Sequence, residues 1–209
     1  MLIPINVLSV FFFASILLAL APGTDNIFVL TQAAIRGRLA GFVITLGLCT
    51  GLVVHTLVVA SGVAMIFQGS LIAFTALKLI GGGYLLYLSY LAFRDSATNL
   101  SPYEIRRTSL FQLYRRGIIM NITNLKVSLF FLSFLPQFAD HYRGSLMLQL
   151  SILGFVFIIS AMLVFCMISL FAGILCSRLQ SSSRAQSIMN RISGTVYAAL
   201  AVKLATVQV

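Results

Sequence analysis

The residue best placed to do chemistry is an acid inside a long apolar stretch near the start of the chain. Asp25 and its neighbour Asn26 end the segment Leu20–Asn26, which Val7–Ala19 precedes and Ile27–Leu30 follows. A charged side chain at the centre of a membrane costs about 3 kcal/mol on insertion scales, unless it faces a protein interior or a wet cavity. We therefore expect Asp25 to be functional: it could pair with a buried cation, bind a substrate ammonium or take a proton.

Two lysines lie deep in other apolar runs and could meet this acid. Lys126 lies about nine residues into the fourth run, too deep for its side chain to reach the membrane surface easily. Lys78 lies about eight residues into the third run, and the following Gly81–Gly83 permits close approach of another helix. We assign Lys126 to a substrate or counter-ion and leave Lys78 open between that role and structural pairing. The alternative is that Asp25 forms a purely structural ion pair with Lys126 or Lys78.

Residues that interrupt a helix flank the acid and recur in the fourth run. The Pro22–Gly23 pair removes a backbone donor, so the first span should be two half-helices rather than one. Thr24 or Asp25 is expected to cap the N-terminus of the second half-helix, and Asn124 to cap another in the fourth run. Two such N-termini at the membrane centre would attract a carboxylate. Alternatively, Asn121 and Asn124 only hydrogen-bond neighbouring helices.

His55 lies on one helical stripe with Gly47 and Gly51, at intervals of four residues. The two glycines form a G-x-x-x-G face for close helix packing, which brings the histidine to the same contact. Since histidine titrates near neutral pH, His55 could relay protons; a hydrogen-bonded structural histidine fits the pattern equally well. His141 lies between apolar runs and has no expected role. No histidine cluster has metal-ligand spacing, so we expect no metal and no other cofactor.

The composition indicates an integral membrane protein. Of 209 residues, 60% are hydrophobic and 9% charged, whereas soluble domains carry about 25% charged residues. The net charge of +10 comes mainly from positive residues clustered in short gaps between apolar runs, which indicates membrane topology rather than nucleic-acid binding. Cys49, Cys166 and Cys176 lie in apolar stretches and are interpreted as small core residues. With no G-x-S-x-G elbow and no second buried acid, an enzyme is not expected.

Six apolar runs are long enough to cross a bilayer, which takes about 20 residues. They cover roughly residues 5–34, 40–67, 71–93, 118–138, 146–177 and 187–208. Ten of eleven arginines between the runs fall in the first, third and fifth gaps, which places those gaps in the cytoplasm and both termini outside. Five spans with one re-entrant run are the alternative. Ala19–Ala21 resembles a signal-peptide cleavage site, but no Lys or Arg precedes it, so we expect the first span to be retained.

The runs divide into two sets of three, each opening with a polar interruption. Matching interruptions are typical of inverted repeats with a site at the membrane midplane. The predicted fold is therefore an all-α integral membrane protein with six transmembrane helices in two inverted three-helix repeats, the first and fourth helices broken. We expect a single transmembrane domain over 1–209, with repeat 1 over about 1–94, a cytoplasmic loop over about 95–116 and repeat 2 over about 117–209.

Motifs along nearly the whole chain resemble those of the LysE/RhtB family, the lysine exporter and homoserine/threonine resistance translocators. The matching segments are PGTDN at 22–26, RGRLAG at 36–41, LKLIG at 77–81, NLK at 124–126, LFFL at 129–132 and FLPQF at 134–138. They resemble the family's P-G-P-D-N and N-P-K…LFFL…FLPQF signatures. Two departures occur: Thr24 and Leu125 stand where the family has prolines. Both relax the helix breaks, and they could signal a changed substrate or a degenerate member.

The resemblance implies a multi-pass amino-acid exporter of the bacterial inner membrane, driven by the proton motive force and often a homodimer. Without a second buried acid, a dibasic substrate lacks a counter-charge, so we expect a neutral amino acid such as homoserine, threonine or leucine. The substrate ammonium should meet Asp25, and its carboxylate Lys126, Asn124 and the half-helix N-termini. Protons should enter through Asp25, with His55 as the second candidate for that path. Asn26, Asn121 and Lys78 complete the predicted substrate- and proton-binding residues. The alternatives are export of another small solute or ion on the same scaffold, and a membrane scaffold protein without transport.

Overall fold

The computed structural model describes residues 2–69, 71–94, 108–181 and 183–206, which are almost entirely helical. The helices are α1 (Ile5–Leu20), α2 (Thr24–Arg36), α3 (Arg38–Gly69), α4 (Leu71–Arg94), α5 (Leu110–Ile122), α6 (Leu125–Ser133), α7 (Leu146–Leu170), α8 (Ala172–Ser181) and α9 (Ser183–Thr206). Two short 3-10 helices, Leu135–Phe138 and His141–Arg143, connect α6 to α7. The all-α class is confirmed for these residues, while most of the predicted cytoplasmic loop lies outside them.

Both predicted helix breaks are present. α1 and α2 meet at an angle of 62°, and α5 meets the segment Leu125–Phe138 at 51°. The first break is extended at Gly23 (φ −165°, ψ −178°), and the second at Asn124 (φ −76°, ψ 101°). Thr24 and Leu125 both begin half-helices. The breaks therefore persist with these residues in place of the family prolines.

Two helices are long and apolar enough to cross a membrane by themselves, at Arg38–Gly62 in α3 and Leu146–Leu170 in α7. Each bent pair, α1 with α2 and α5 with the segment after it, passes the same test as one broken span. The described residues thus contain two to four candidate spans. α4 and α9 coincide with the third and sixth apolar runs and are not among these candidates, but several of their side chains lie outside the described residues, so the six-span repeat stays a prediction.

The broken fourth span begins earlier in the chain than the apolar pattern predicts. α5 starts at Leu110, because Ser109 and Gln112 form a capping box: the Ser109 hydroxyl accepts from the Gln112 N–H at 3.3 Å, and the Gln112 side chain accepts from the Ser109 N–H at 3.0 Å. Arg115 and Arg116, expected in the loop, therefore lie on a helix. Arg116 lies over the Phe28 ring, 5.4 Å from its centroid, and this contact joins α5 to α2.

The glycine face of α3 packs directly on α5, as the stripe predicts. A Cβ at Gly47 would overlap the carbonyl oxygen of Tyr114, and Gly117 lies so close to Gly47 that a Cβ there would be 3.2 Å from its Cα. On another side of α3, a Cβ at Gly154 of α7 would overlap the side chain of Thr56. α3 is therefore held between α5 and α7 at backbone contact distance.

α4 and α9 pack against each other, with α6 beside α4. The Ser89 hydroxyl donates to the Gly194 carbonyl at 2.8 Å, and a Cβ at Gly81 would overlap the Ser133 side chain. Buried aromatic rings fill the space from α6 to α7: Phe130 lies 4.7 Å from Phe134 and 5.3 Å from Phe157 between ring centroids. The half-helix α6 is thereby fixed by aromatic packing on one side and by α4 on the other.

Replacing Gly47 by Ala tests the contact between α3 and α5. Because the added methyl meets backbone atoms that cannot rotate away, we expect the free energy of unfolding to fall by roughly 1–3 kcal/mol. Gly62→Ala in the same helix is the matched control, since a Cβ there has no neighbour within 4 Å and alanine favours a helix by about 0.5–1 kcal/mol. Thermal unfolding in detergent measures both. Equal melting temperatures for the two variants would contradict the packing described.

Candidate functional site

Asp25 lies where the two helix breaks meet, with only 4% of its surface exposed. Its Oδ2 accepts from Asn121 Nδ2 at 3.0 Å, and its Oδ1 accepts from Asn124 Nδ2 at 2.9 Å. It also lies in the first turn of α2, where the helix dipole favours a negative charge. Two neutral amides and a helix terminus therefore stabilise the carboxylate.

Asn124 connects all parts of this arrangement. Its side-chain oxygen accepts from the Lys126 N–H at 3.1 Å, which caps α6 as predicted. Its amide nitrogen donates to Asp25 and lies 3.4 Å from Thr24 Oγ1. A single side chain thus ends one helix break and fixes the acid of the other.

The N-terminus of α2 is capped differently from the prediction. Gly23 occupies the capping position, and no side chain there accepts a hydrogen bond, so the expected capping by Thr24 or Asp25 is wrong. The helix begins one residue earlier than a cap at Thr24 requires, because extended Gly23 already ends the break. Asp25 is consequently inside the first turn, and its carboxylate turns toward α5 and α6 instead of its own backbone.

Lys126 does not neutralise Asp25. Its Nζ donates to the Ala21 carbonyl at 2.9 Å and lies over the Tyr197 ring, 5.4 Å from the centroid. Neither Lys126 nor Asp25 forms a salt bridge with a described residue. The structural pair of these two side chains, considered from the sequence, is therefore not formed. The Lys78 side chain lies outside the described residues, so its pairing stays a prediction.

The lysine instead stabilises the C-terminal end of α1. Ala21 follows the last turn of that helix, whose carbonyls carry partial negative charge. Asn26 reaches the same end from the other side of the break, because its Nδ2 donates to the Ala19 carbonyl at 2.6 Å. At Gly23 a Cβ would lie 3.3 Å from Lys126 Nζ, so the glycine leaves space for the ammonium.

His55 contacts Asn121, one of the two residues that hold Asp25, and forms no hydrogen bond with Asp25 itself among the described residues. Its Nε2 lies 3.1 Å from the Asn121 carbonyl oxygen, while the Asn121 side chain donates to Asp25. Next to it, Asn121 Oδ1 is buried without a hydrogen-bond partner among the described residues, and it lies where a Cβ at Gly51 would be 2.7 Å away. The Gly47–Gly51–His55 stripe thus positions Asn121, and Asn121 positions the acid.

A cavity of about 20 Å³ adjoins Asp25, Asn121, Asn124 and Lys126. One water molecule needs roughly 10–15 Å³ on this measure. At this volume the cavity has room for about one water molecule and none for an organic molecule of several heavy atoms.

Sequence reasoning missed the residues that α9 contributes. Tyr197 lies under the ammonium of Lys126, and Gln186, Asn190 and Ser193 precede it on the same helix face. Their spacing of four, three and four residues is the pattern of one helical face. Polar residues at that spacing in the sixth run were the signal that could have indicated a face turned toward the site.

Comparisons with known proteins match this chain to membrane translocators and efflux proteins. The family model described as LysE type translocator matches residues 16–208. The homoserine/homoserine lactone efflux protein of Salmonella typhi is 34% identical over 151 residues, which are 72% of each chain. The leucine efflux protein of Salmonella choleraesuis is 24% identical over 93% of this chain and 92% of its own length. An uncharacterized membrane protein of Vibrio cholerae is 28% identical over 97% and 98% of the two chains. No solved structure matches.

A double-mutant cycle with Asp25→Ala and Asn124→Ala tests the hydrogen bond between the two breaks. Because hydrogen bonds to charged groups contribute about 1.5–3 kcal/mol, we expect a coupling energy of that order in reversible unfolding in mixed micelles. Ser109→Ala supplies the control cycle with Asp25→Ala, since it removes another helix cap about 18 Å along α5 from Asn121. Equal coupling energies in the two cycles would show that the bridge between the breaks contributes nothing.

Proposed function

Because this chain belongs to the LysE type translocator family, we propose that it exports neutral amino acids across the inner membrane in exchange for protons. Members of the family are transporters and not enzymes, and the chain is accordingly a multi-pass membrane transporter. The choice of a neutral amino acid and the coupling to protons are the parts we propose.

The observation that carries the proposal is a pair of opposite charges that do not neutralise each other. Asp25 is held by amides, and Lys126 by a backbone carbonyl and an aromatic ring. Both side chains line the same small cavity. Among the described residues neither charge has a partner of opposite sign, and leaving two such charges unpaired in a membrane costs several kcal/mol. A zwitterionic amino acid would supply both partners, its ammonium to Asp25 and its carboxylate to Lys126.

The helix breaks support binding of the carboxylate end. α2 and α6 both begin at the site, and their first turns carry partial positive charge. Among the described residues no side chain caps α2, so its N-terminal N–H groups can donate to the substrate carboxylate as an additional partner. The substrate carboxylate would therefore bind between the N-terminus of α2 and Lys126, close to Asn124.

The proposal of an uncharged substrate side chain rests on how few acids are available as counter-charges. Of the two acids in the described residues, Asp25 is engaged by the substrate ammonium in this proposal, and Asp140 forms an exposed salt bridge with Arg143 at 3.0 Å. A second ammonium or guanidinium on the substrate would thus lack a buried counter-charge.

Proton coupling would arise from competition at Asp25. Either an ammonium or a proton can neutralise the carboxylate, so binding of a proton from outside would release the substrate there. His55 is the second candidate for this path, since it contacts the backbone of Asn121. The cavity around these groups is too small for an amino acid, so substrate binding would require the surrounding helices to move apart, as an alternating-access cycle provides.

The proposed architecture is six spans in two inverted repeats, with both termini outside. It is supported by the meeting of the two breaks, where Asp25 of one and Asn124 of the other are joined at 2.9 Å. A homodimer is proposed from the family resemblance alone.

Asp25→Asn should abolish export while leaving membrane insertion intact, because the amide can neither exchange a proton nor neutralise an ammonium. The measurement is uptake of labelled amino acids into inverted vesicles with an imposed proton gradient. Asp140→Asn is the matched control, since that acid lies in the exposed connection before α7, and it should transport normally. Normal transport by Asp25→Asn would refute the assignment. Transport of no amino acid by the folded wild type would favour another solute, or a scaffold protein without transport.

Lys126→Gln should reduce discrimination between an amino acid and its carboxamide, which lacks the negative charge. We expect the wild type to prefer the free amino acid at least tenfold, equivalent to about 1.4 kcal/mol, and the variant to lose most of that preference. Competition of each compound against labelled substrate in the same vesicles measures the ratio. Arg143→Gln should leave the ratio unchanged. An unaltered ratio in folded Lys126→Gln would place the carboxylate elsewhere.

A further inference from the structure

A larger cavity lies next to the one around Asp25. It has a volume of about 190 Å³ and is lined by residues from the end of α1, the first break and α2, from α7 and α8, and from α9. Its walls include Ile27 of α2, Leu175 of α8 and Met189 of α9, together with the amides of Asn26 and Asn190. Most of the lining is apolar, so the cavity suits a hydrocarbon group with an adjacent polar part.

Asn26 belongs to the walls of both cavities. Its side chain is held by the Ala19 carbonyl at 2.6 Å, immediately beside the buried Asp25. A molecule whose ammonium bound Asp25 would therefore lie beside Asn26, the residue that the two cavities share. On the basis of the function proposed above, we propose that this cavity receives the aliphatic side chain of the transported amino acid and sets the size that the protein accepts.

The volume decides which side chains fit. A dry apolar protein cavity of about 150 Å³ holds a benzene molecule. A cavity of 190 Å³ therefore accommodates the four carbons of a leucine side chain with space to spare. A methyl side chain would leave most of the apolar wall uncovered, and each missing methylene weakens binding in such a pocket by about tenfold or more. The substrate class is accordingly neutral amino acids with side chains of leucine or methionine size, in preference to alanine.

The chain offers a direct readout of binding, because it contains no tryptophan. Leu175→Trp places a single fluorophore at the rim of the cavity, where 36% of the native side chain is exposed and the larger ring can be accepted. Leu163→Trp on α7 is the matched control, since that residue is 50% exposed and does not line the cavity. We expect saturable fluorescence change with leucine in the first variant, a weaker affinity for alanine by at least tenfold, and no change in the second.

Filling the cavity tests its role in transport. Ile27→Phe and Met189→Phe each add an aromatic ring to the wall, and either should lower the ratio of leucine to alanine uptake by at least tenfold. Leu163→Phe should leave that ratio at its wild-type value. The two variants lie on different helices, so that if one folds poorly the other still tests the cavity. An unchanged ratio in whichever variant folds, assessed by its melting temperature, would overturn the assignment.

The outcomes separate this inference from the function on which it rests. Leucine transport with a size ranking that ignores Ile27 and Met189 would refute only the cavity assignment. Saturable leucine binding at Leu175→Trp without transport in the wild type would refute the proposed export while supporting the cavity as a side-chain site. A fluorescence change with short-chain phospholipid but none with leucine would identify the cavity as a lipid site and overturn the inference.

Discussion

The structure depends on a buried carboxylate held between two interrupted helices. Asp25 lies at the start of α2, and the amides that hold it come from either side of the break between α5 and α6. A continuous helix in either place would satisfy its own backbone groups and leave no polar end at this depth. The first break therefore supplies the buried carboxylate, and the second supplies the amides that stabilise it. Asn124 takes part in both, because it donates to Asp25 and caps α6.

The rest of the fold places those two breaks against each other. α3 has glycines where α5 approaches it, so the helices pack at backbone distance and Asn121 is set beside Gly51 and His55. The aromatic rings around Phe130 and Phe134 fix α6 on the far side of the break. Close packing of this kind resists small shifts, because each would create either an overlap or a cavity. The position of Asp25 is consequently determined by residues that never touch it.

The energetics of the site are those of two separated charges in a medium of low dielectric constant. Amide donors and the N-terminus of α2 offset part of the cost at Asp25, and the C-terminal carbonyls of α1 with the Tyr197 ring offset part at Lys126. In the function proposed above, this separation leaves each charge available to the opposite end of a zwitterion, which a direct ion pair of the two side chains would not do.

Local chemistry in the sequence determined the breaks, the all-α class and the packing face. Pro22 and Gly23 interrupt a helix in any surroundings, Asn124 caps the helix that follows it, and glycines four residues apart admit another helix wherever they occur. Only the tertiary structure decided which groups meet. Lys126 donates to Ala21 and lies over Tyr197 because α1 and α9 converge there, and the 190 Å³ cavity forms because three separate segments of the chain leave space between them. Such contacts join residues far apart in sequence, so their geometry is set by the packing of whole helices and no local pattern encodes it.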